Sequence, residues 1–393
     1  MTVNGAPLQG NAAKCPPTEV AGAWSDDIFD PPVARRSPDA VRHLGVVEGE
    51  GIGPEVTRGA LDVLAALEES TPYRFAVRVL APAAEIVEAM GLSDGLTRFC
   101  RETFDVGGAL LVGPVGGRFV YDLRRRFDLF CKLSPLRWCA ELAGAGRLKP
   151  DGMPDVDVLV VRENVSGIYQ GEWREVQATE AGRRAEHTFW YTEAEVRRIV
   201  RVAARLAARR RGQMCVVVKD GGIPTVSALW RDCATELAAE AGVEARFVNV
   251  DLACYLLIQH AHQLDVVVAP NLFGDVLADV GGVLLGSRGL SFSGNFAADG
   301  AAVYQTNHGA ALDLVGTNRA NPCGHLFALA MLLRESAGLP QAAALIEDAV
   351  REVWRSGWRT EDLHEPGCRL AGTSEMGHLV ASTVRRLSSR VTA

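Results

Sequence analysis

The sequence predicts an α/β protein with a largely parallel sheet, because strand-length apolar runs alternate with helical patterns almost throughout. Three runs carry this reading. Val156-Asp157-Val158-Leu159-Val160-Val161, Met214–Val218 and Val266-Val267-Val268-Ala269 are short, rich in valine and nearly continuous. Strands buried on both faces have that character.

In chain order, His43-Leu44-Gly45-Val46-Val47 is the first strand, followed by a helix over about 53–69. Pro54 suits that helix because proline fits a first helical turn. Ala109–Val112 and 156–161 are the next strands. A long amphipathic helix over about 192–211 leads into strand 214–218, and a helix over about 227–241 leads into strand 245–250. Strand 265–269 runs into a helix beginning near Asn271, and helices over about 321–337 and 340–356 lie near the end.

The 393 residues carry a formal net charge of −7, which leaves no basic footprint for nucleic acid. No apolar run is long enough to span a bilayer. Residues 1–42 have no apolar signal core and carry Glu19, Asp26, Asp27 and Asp30. They read as a flexible arm rather than a secretory or transit peptide. Nine cysteines without a C-x-x-C pair fit a reducing cytoplasm, and Cys131, Cys215, Cys254 and Cys323 read as small buried hydrophobes. His260 and His262 are two apart on an apparent helix and so share no face. Arg209-Arg210-Arg211 reads as a solvated helix end.

Chemistry is most legible in Asn271-Leu272-Phe273-Gly274-Asp275-Val276-Leu277-Ala278-Asp279. On a helix opening after a buried strand, Asp275 and Asp279 project from one face. Two hard oxygen ligands suit Mg²⁺ or Mn²⁺. The plain alternative is acids favoured by the dipole of a first helical turn. Gly49-Glu50-Gly51-Ile52-Gly53-Pro54 is a tight strand-to-helix turn that misses both the P-loop and the dinucleotide fingerprint.

Read together, eight ordered motifs carry a resemblance. They are Gly51–Val56, Leu123-Arg124, Val161–Asn164, Gly167-Ile168-Tyr169, Lys219, Asn271–Asp279, His308-Gly309 and Ala320-Asn321-Pro322. Over about residues 43–385 the chain resembles the metal-dependent decarboxylating dehydrogenases of (2R)-malate-type acids, the isopropylmalate/isocitrate dehydrogenase family. The resemblance implies a two-domain α/β/α sandwich with a long mixed sheet, not a Rossmann fold. Domain one would combine 43–129 with 286–393 and bind the cofactor. Domain two, 130–285, would carry the dimer interface, the metal ligands and the catalytic residues.

The resemblance further implies NAD-dependent oxidation of a small 2-hydroxy diacid followed by loss of CO₂, with Mg²⁺ or Mn²⁺ as Lewis acid. The metal ligands would be Asp275, Asp279 and Asp251, the last at a strand end and given to the site by the other subunit of a homodimer. Lys219 would accept the alcohol proton, also across the dimer, and Tyr169 would protonate the enol. Arg124 and Arg162 would bind substrate carboxylates. His308, Gly309, Ala310, Ala311, Asp313 and Asn321 would bind the cofactor, with Asp313 near the ribose favouring NAD over NADP.

Several positions depart from the family. The third substrate arginine of Asn-Leu-Arg-Pro is Ser134 in Lys132-Leu133-Ser134-Pro135. Lys132 lies two residues earlier in an extended segment and faces the same side, so either it supplies the missing charge or Ser134 simply makes room. The family's Glu-Pro before His-Gly is Gln305-Thr306, and the segment that selects the substrate side chain reads Arg118-Phe119-Val120-Tyr121-Asp122. Arg118 has two readings there, an anion contact or a solvated loop residue. These departures point to a non-standard malate of a specialised pathway, with 3-isopropylmalate as the alternative and isocitrate, homoisocitrate or tartrate behind it. A non-catalytic regulatory subunit is the reading from another class, and the retained Tyr169, Lys219 and acids argue against it.

Overall fold

The computed structural model describes residues 23–28, 40–80, 91–146, 148 and 156–391. The rest of the expected N-terminal arm lies outside the described residues. In chain order the strands are β1 (Arg42–Val47), β2 (Phe75–Leu80), β3 (Ala109–Val112), β4 (Cys131–Arg137), β5 (Asp157–Glu163), β6 (Glu172–Thr179), β7 (Gly182–Thr188), β8 (Gln213–Val218), β9 (Glu244–Asn249), β10 (Val266–Ala269), β11 (Phe292–Phe296), β12 (Ala302–Thr306), β13 (Trp358–Arg359) and β14 (Arg369–Leu370). The helices are α1 (Gly53–Ser70), α2 (Asp94–Asp105), α3 (Phe119–Arg126), α4 (Glu193–Ala208), α5 (Pro224–Ala241), α6 (Val250–Gln259), α7 (Asn271–Leu285), α8 (Cys323–Glu335), α9 (Pro340–Arg355) and α10 (Thr373–Val391).

Ten strands form one mixed sheet in the order β2-β1-β3-β12-β11-β4-β5-β10-β8-β9. The outer strands pair in parallel, β1 with β2 and β3, and β10 with β5 and β8. The centre is antiparallel, β12 to β11 to β4 to β5. The long mixed sheet agrees with the expectation; the valine-rich runs marked its parallel strands, and the antiparallel centre carried no such signal. β11 reads Phe-Ser-Gly-Asn-Phe and buries Ser293 and Asn295 completely. Asn295 survives there because Asn164 Nδ2 donates to its Oδ1 at 3.0 Å and its own amide donates to Val303 O.

The helices follow from local rules. α4 opens with a capping box, Thr192 and Glu195 each accepting from the other's backbone N–H, and buries Val196, Ile199, Val200, Ala203 and Ala207. α5 stops at Gly242, which adopts φ +65°. α4 packs on β5, β8 and β10, whereas α8 packs on β3, β11 and β12. The segment 118–122 is not a loop: it opens the short helix α3, with Arg118 at its N-cap. Asp251 lies not at a strand end but in the first turn of α6.

Two other expectations are corrected. Arg210 is not solvated: its Nε donates to the buried Asp265 at 2.7 Å and its Nη2 to Asp157 O at 2.9 Å. The helix ends three residues earlier than its pattern suggests, at Ala208, and Arg210 turns inward while Arg209 stays exposed. His260 and His262 bring their rings within 6.2 Å because α6 stops at Gln259.

Part of the expected arm is also ordered. Residues 24–27 form a single 3-10 turn, and Ile28 is buried in the main core. Ser25 N donates to Glu335 Oε2 at 2.9 Å, and Ser25 Oγ donates to Glu335 O. Asp27 pairs with Arg209 at the end of α4, while Glu335 ends α8. The turn therefore clips together helices that lie on opposite halves of the sheet.

Candidate active site

The antiparallel pairing of β4 with β5 sets Lys132 directly opposite Arg162, so the two side chains share a face. Arg162 is almost fully buried and heavily engaged. Its Nε and Nη2 donate to Asn271 Oδ1 at 3.0 and 2.7 Å, and its Nη1 pairs with Asp275. Asn271, the first residue of α7, is itself locked: its Nδ2 donates to Ser166 O at 2.7 Å and its backbone N–H to Tyr191 Oη at 2.9 Å. Sequence reasoning did not single out Asn271 or Tyr191, although Asn271 opens the motif that carries the two acids.

Asp275 sits one turn into α7 with 38% of its side chain exposed. Burial works against its ionisation, but Arg162, Lys132 and a hydrogen bond from Tyr169 hold the carboxyl below its ordinary range. Tyr169 is pushed upward, by burial first and then by the Asp275 charge, so its hydroxyl keeps its proton. The Tyr169 ring lies 5.2 Å from that of Tyr121, and Arg162 stands 5.6 Å above it.

Arg124, near the end of α3, completes the cluster. It is 5% exposed, its Nε is buried with no hydrogen-bond partner, and burial followed by repulsion from Arg162 lowers it to about 9. Lys132 is 3% exposed, and burial followed by Arg124 and Arg162 drives its ammonium well below the usual lysine range. Three cations are thus gathered around a single partly exposed acid. Such an arrangement awaits an anion.

Arg118 stands at the rim of this cluster. It pairs with Asp122 at 3.2 Å, donates to Tyr169 O at 3.3 Å and stacks between Trp173 and Tyr121 at 4.9 and 5.4 Å. Val120 packs against the second core cluster. Ser134 is buried one pleat from Lys132, and Asn307 Nδ2 lies 3.5 Å from its hydroxyl. That contact links the cationic cluster to the loop beginning at His308.

In this loop, Ala310 O accepts from Ile52 N at 3.0 Å, which seats the turn 49–53 against it. Gly51 has φ +59°, and a Cβ there would meet Ala310 O at 2.0 Å, so only glycine permits the contact. Ala311 adopts φ +43°, Gly309 faces open space and Asp313 is exposed. Burial lowers the His308 ring, whose Nε2 is buried without a partner. Asn321 is 6% exposed and uses its side chain internally, donating to Asp362 and accepting from Cys323 N.

The remaining predicted residues lie apart. Asp279 follows Asp275 by one helical turn and pairs with Arg288 at 3.0 Å. Lys219 and Asp251 pair with each other at 2.7 Å, and both are exposed. Among the described residues no three His, Cys, Asp or Glu side chains gather into a metal-holding group. One chain therefore offers two hard carboxylates on α7, and Asp251 does not join them within that chain.

The comparisons with known proteins agree with one another. The family model for isocitrate/isopropylmalate dehydrogenase matches residues 43–380. The 3-isopropylmalate dehydrogenase of Carboxydothermus hydrogenoformans is 36% identical over 361 residues, covering 86% of this chain and 94% of that protein. The enzyme of the same name from Neisseria meningitidis serogroup B is 34% identical, covering 87% of this chain and 99% of that protein. Among solved structures, isocitrate dehydrogenase from Methylococcus capsulatus superposes with a TM-score of 0.77 at 29% identity, covering 88% of this chain and 99% of that one. The match spans every strand of the ten-stranded sheet and every residue of the cationic cluster, so the chain belongs to the isocitrate/isopropylmalate dehydrogenase family.

Proposed function

We propose that this protein catalyses the NAD- and divalent-metal-dependent oxidative decarboxylation of a 3-substituted (2R)-malate-type acid, working as a homodimer with shared sites. One observation carries the reading: buried, unpartnered cations surround Asp275 and Tyr169, where a diacid would bring the missing negative charge.

The donor set fits a hard cation. Asp275 and Asp279 offer two carboxylates on one helix face, and Asp251 of a second protomer would supply a third. When bound, Mg²⁺ or Mn²⁺ would polarise the substrate hydroxyl and its neighbouring carboxylate. NAD would accept the hydride, held by His308, Gly309, Ala310, Ala311 and Asp313, with the backbone of Asn321 beside the adenine. The loop suits NAD rather than NADP. Asp313 would repel a 2′-phosphate, and Arg319 is already held in a two-pronged pair with Glu361.

The chain's own groups handle the protons. Lys219 of one protomer would take the hydroxyl proton at the other's site, a role consistent with its exposure. Tyr169, kept protonated by burial and by Asp275, would deliver a proton to the enol carbon after CO₂ leaves. Arg162, clamped by Asn271, would orient the diacid without moving.

The hairpin β6–β7 is exposed along nearly its whole length, with Trp173 and Val176 both more than half exposed, and so is available to a second protomer. The relatives' names make 3-isopropylmalate the first compound to try, and Ser134, Tyr121 and Arg118 argue for a different 3-substituent. The test is NADH formation by the purified protein with Mn²⁺ across a panel of 3-substituted malates. NADH without release of CO₂, or no turnover of any member, would refute the proposal.

A further inference from the structure

The cleft holds three buried cations, but they are not equally available. Arg162 has Asn271 and Asp275 as partners. No hydrogen bond or ion pair within the described residues reaches Arg124 or Lys132, and each is at least nine-tenths buried. A buried charge left without a counter-group costs several kcal/mol. That strain is relieved when an anion enters, so these two side chains mark where ligand charge belongs.

Everything else near the cluster is neutral or already paired. Arg118, at the rim, is tied to Asp122 and Tyr169 O and is sandwiched between two aromatic rings. On β11, Asn295 lies opposite Lys132, and Ser293 lies opposite Gln305 of β12. Asn295, Ser293 and Gln305 are buried and uncharged. Beside them the buried Oδ1 of Asn307 lacks a partner, and it is an acceptor, which repels an anion.

We propose that Arg124 and Lys132 hold the two carboxylates of the substrate, with Lys132 as the specificity-determining cation, and that the 3-substituent is uncharged. The inference rests on the dehydrogenase reading above and narrows its substrate class. A tricarboxylate or a phosphono-substituted malate would bring a third anionic group to a cleft in which no third unpaired side-chain cation stands among the described residues, the divalent ion being taken by the hydroxyl and its neighbouring carboxylate. Lysine at 132 with serine at 134 keeps the count of positive charge but moves it one pleat along β4, about 7 Å. It also replaces a planar fork with a point charge, which tolerates more carboxylate orientations.

Calorimetry without NAD separates this inference from the reading beneath it. With Mn²⁺ present, wild-type protein is titrated with 3-isopropylmalate, 3-(carboxymethyl)malate and 3-(phosphonomethyl)malate. The expected order is tightest binding for the neutral substituent. Lys132→Met should weaken that binding by about 30-fold or more, the worth of a charge-assisted contact. Because methionine removes an unpartnered buried charge, the variant should melt no lower than wild type, which excludes misfolding as the cause. In that background Ser134→Arg should restore part of the affinity by returning the cation to its other position. Tighter binding of either charged malate, or unchanged binding by a folded Lys132→Met, would overturn the proposal. Binding in the expected order with no NADH once NAD is added would instead overturn the dehydrogenase reading and leave the carboxylate assignment standing.

Discussion

Replacing Glu335 with glutamine tests the electrostatics of the interior directly. Glu335 is buried at the end of α8, where burial pushes its carboxyl from an ordinary 4.5 to about 7 despite the hydrogen bond from Ser25 N. Between those values the native state keeps a proton that the unfolded chain releases. The native state therefore binds more protons in that window, and stability falls as pH rises through it. The loss is complete above about pH 7 and amounts to about 3 kcal/mol. Glutamine has no proton to lose, and its carbonyl can still accept from Ser25 N. Glu335→Gln should therefore match wild type near pH 4.5 and exceed it by about 3 kcal/mol near pH 8. Urea denaturation at the two pH values measures the difference. Glu163 is also raised to about 7 by burial, so wild type and variant share a residual slope, and only their difference counts. A variant equally destabilised at both pH values, or no more stable than wild type at the higher one, would refute the reasoning.

Other expectations concern the cleft and its supports. Asn271→Ala removes both acceptor contacts to the buried Arg162 and leaves Ser166 O unsatisfied. Roughly 2–4 kcal/mol of stability should be lost in urea denaturation, and turnover should fall even at saturating substrate. Asp279→Asn should weaken Mn²⁺ binding, measured by electron paramagnetic resonance of the free ion, and chelation should abolish wild-type turnover reversibly. Asp265→Ala removes the Nε partner of Arg210 and the acceptor of Arg211 N–H, leaving Arg210 only Asp157, and should cost about 2 kcal/mol in the same denaturation assay with little effect on KM.

The legible parts of the fold were those in which burial imposes a pattern. β3, β5, β8 and β10 are almost wholly buried and valine-rich, and they were found to within a residue or two. β6 and β7 were missed for the opposite reason: nearly every residue is exposed, so no periodicity marks them. α3 was hidden by its three consecutive arginines, Arg124 to Arg126, of which Arg124 turns inward and Arg125 outward. Within the site, the spacing of Asp275 and Asp279 exposed their shared face, since a helix of known pitch fixes it. Which cation is free was not legible. Arg162 is occupied by the amide oxygen of Asn271, 109 positions away, and by the charge of Asp275, and only the register of β5 with β10 brings them together.

In the proposed dimer, where the exposed Lys219–Asp251 pair of one chain would serve the Tyr169–Asp275 cluster of the other, two differently damaged copies should repair each other. A chain with Tyr169→Phe still carries a sound Lys219, and a chain with Lys219→Ala still carries a sound Tyr169. Each should be inactive as a pure dimer. Mixed and allowed to exchange, half of the dimers would be hybrids with one intact site apiece, returning about a quarter of full activity. With sites shared in this way, damage of this kind would be recessive at the level of the site, and a population of chains with scattered errors would keep more working centres than a count of perfect chains would suggest.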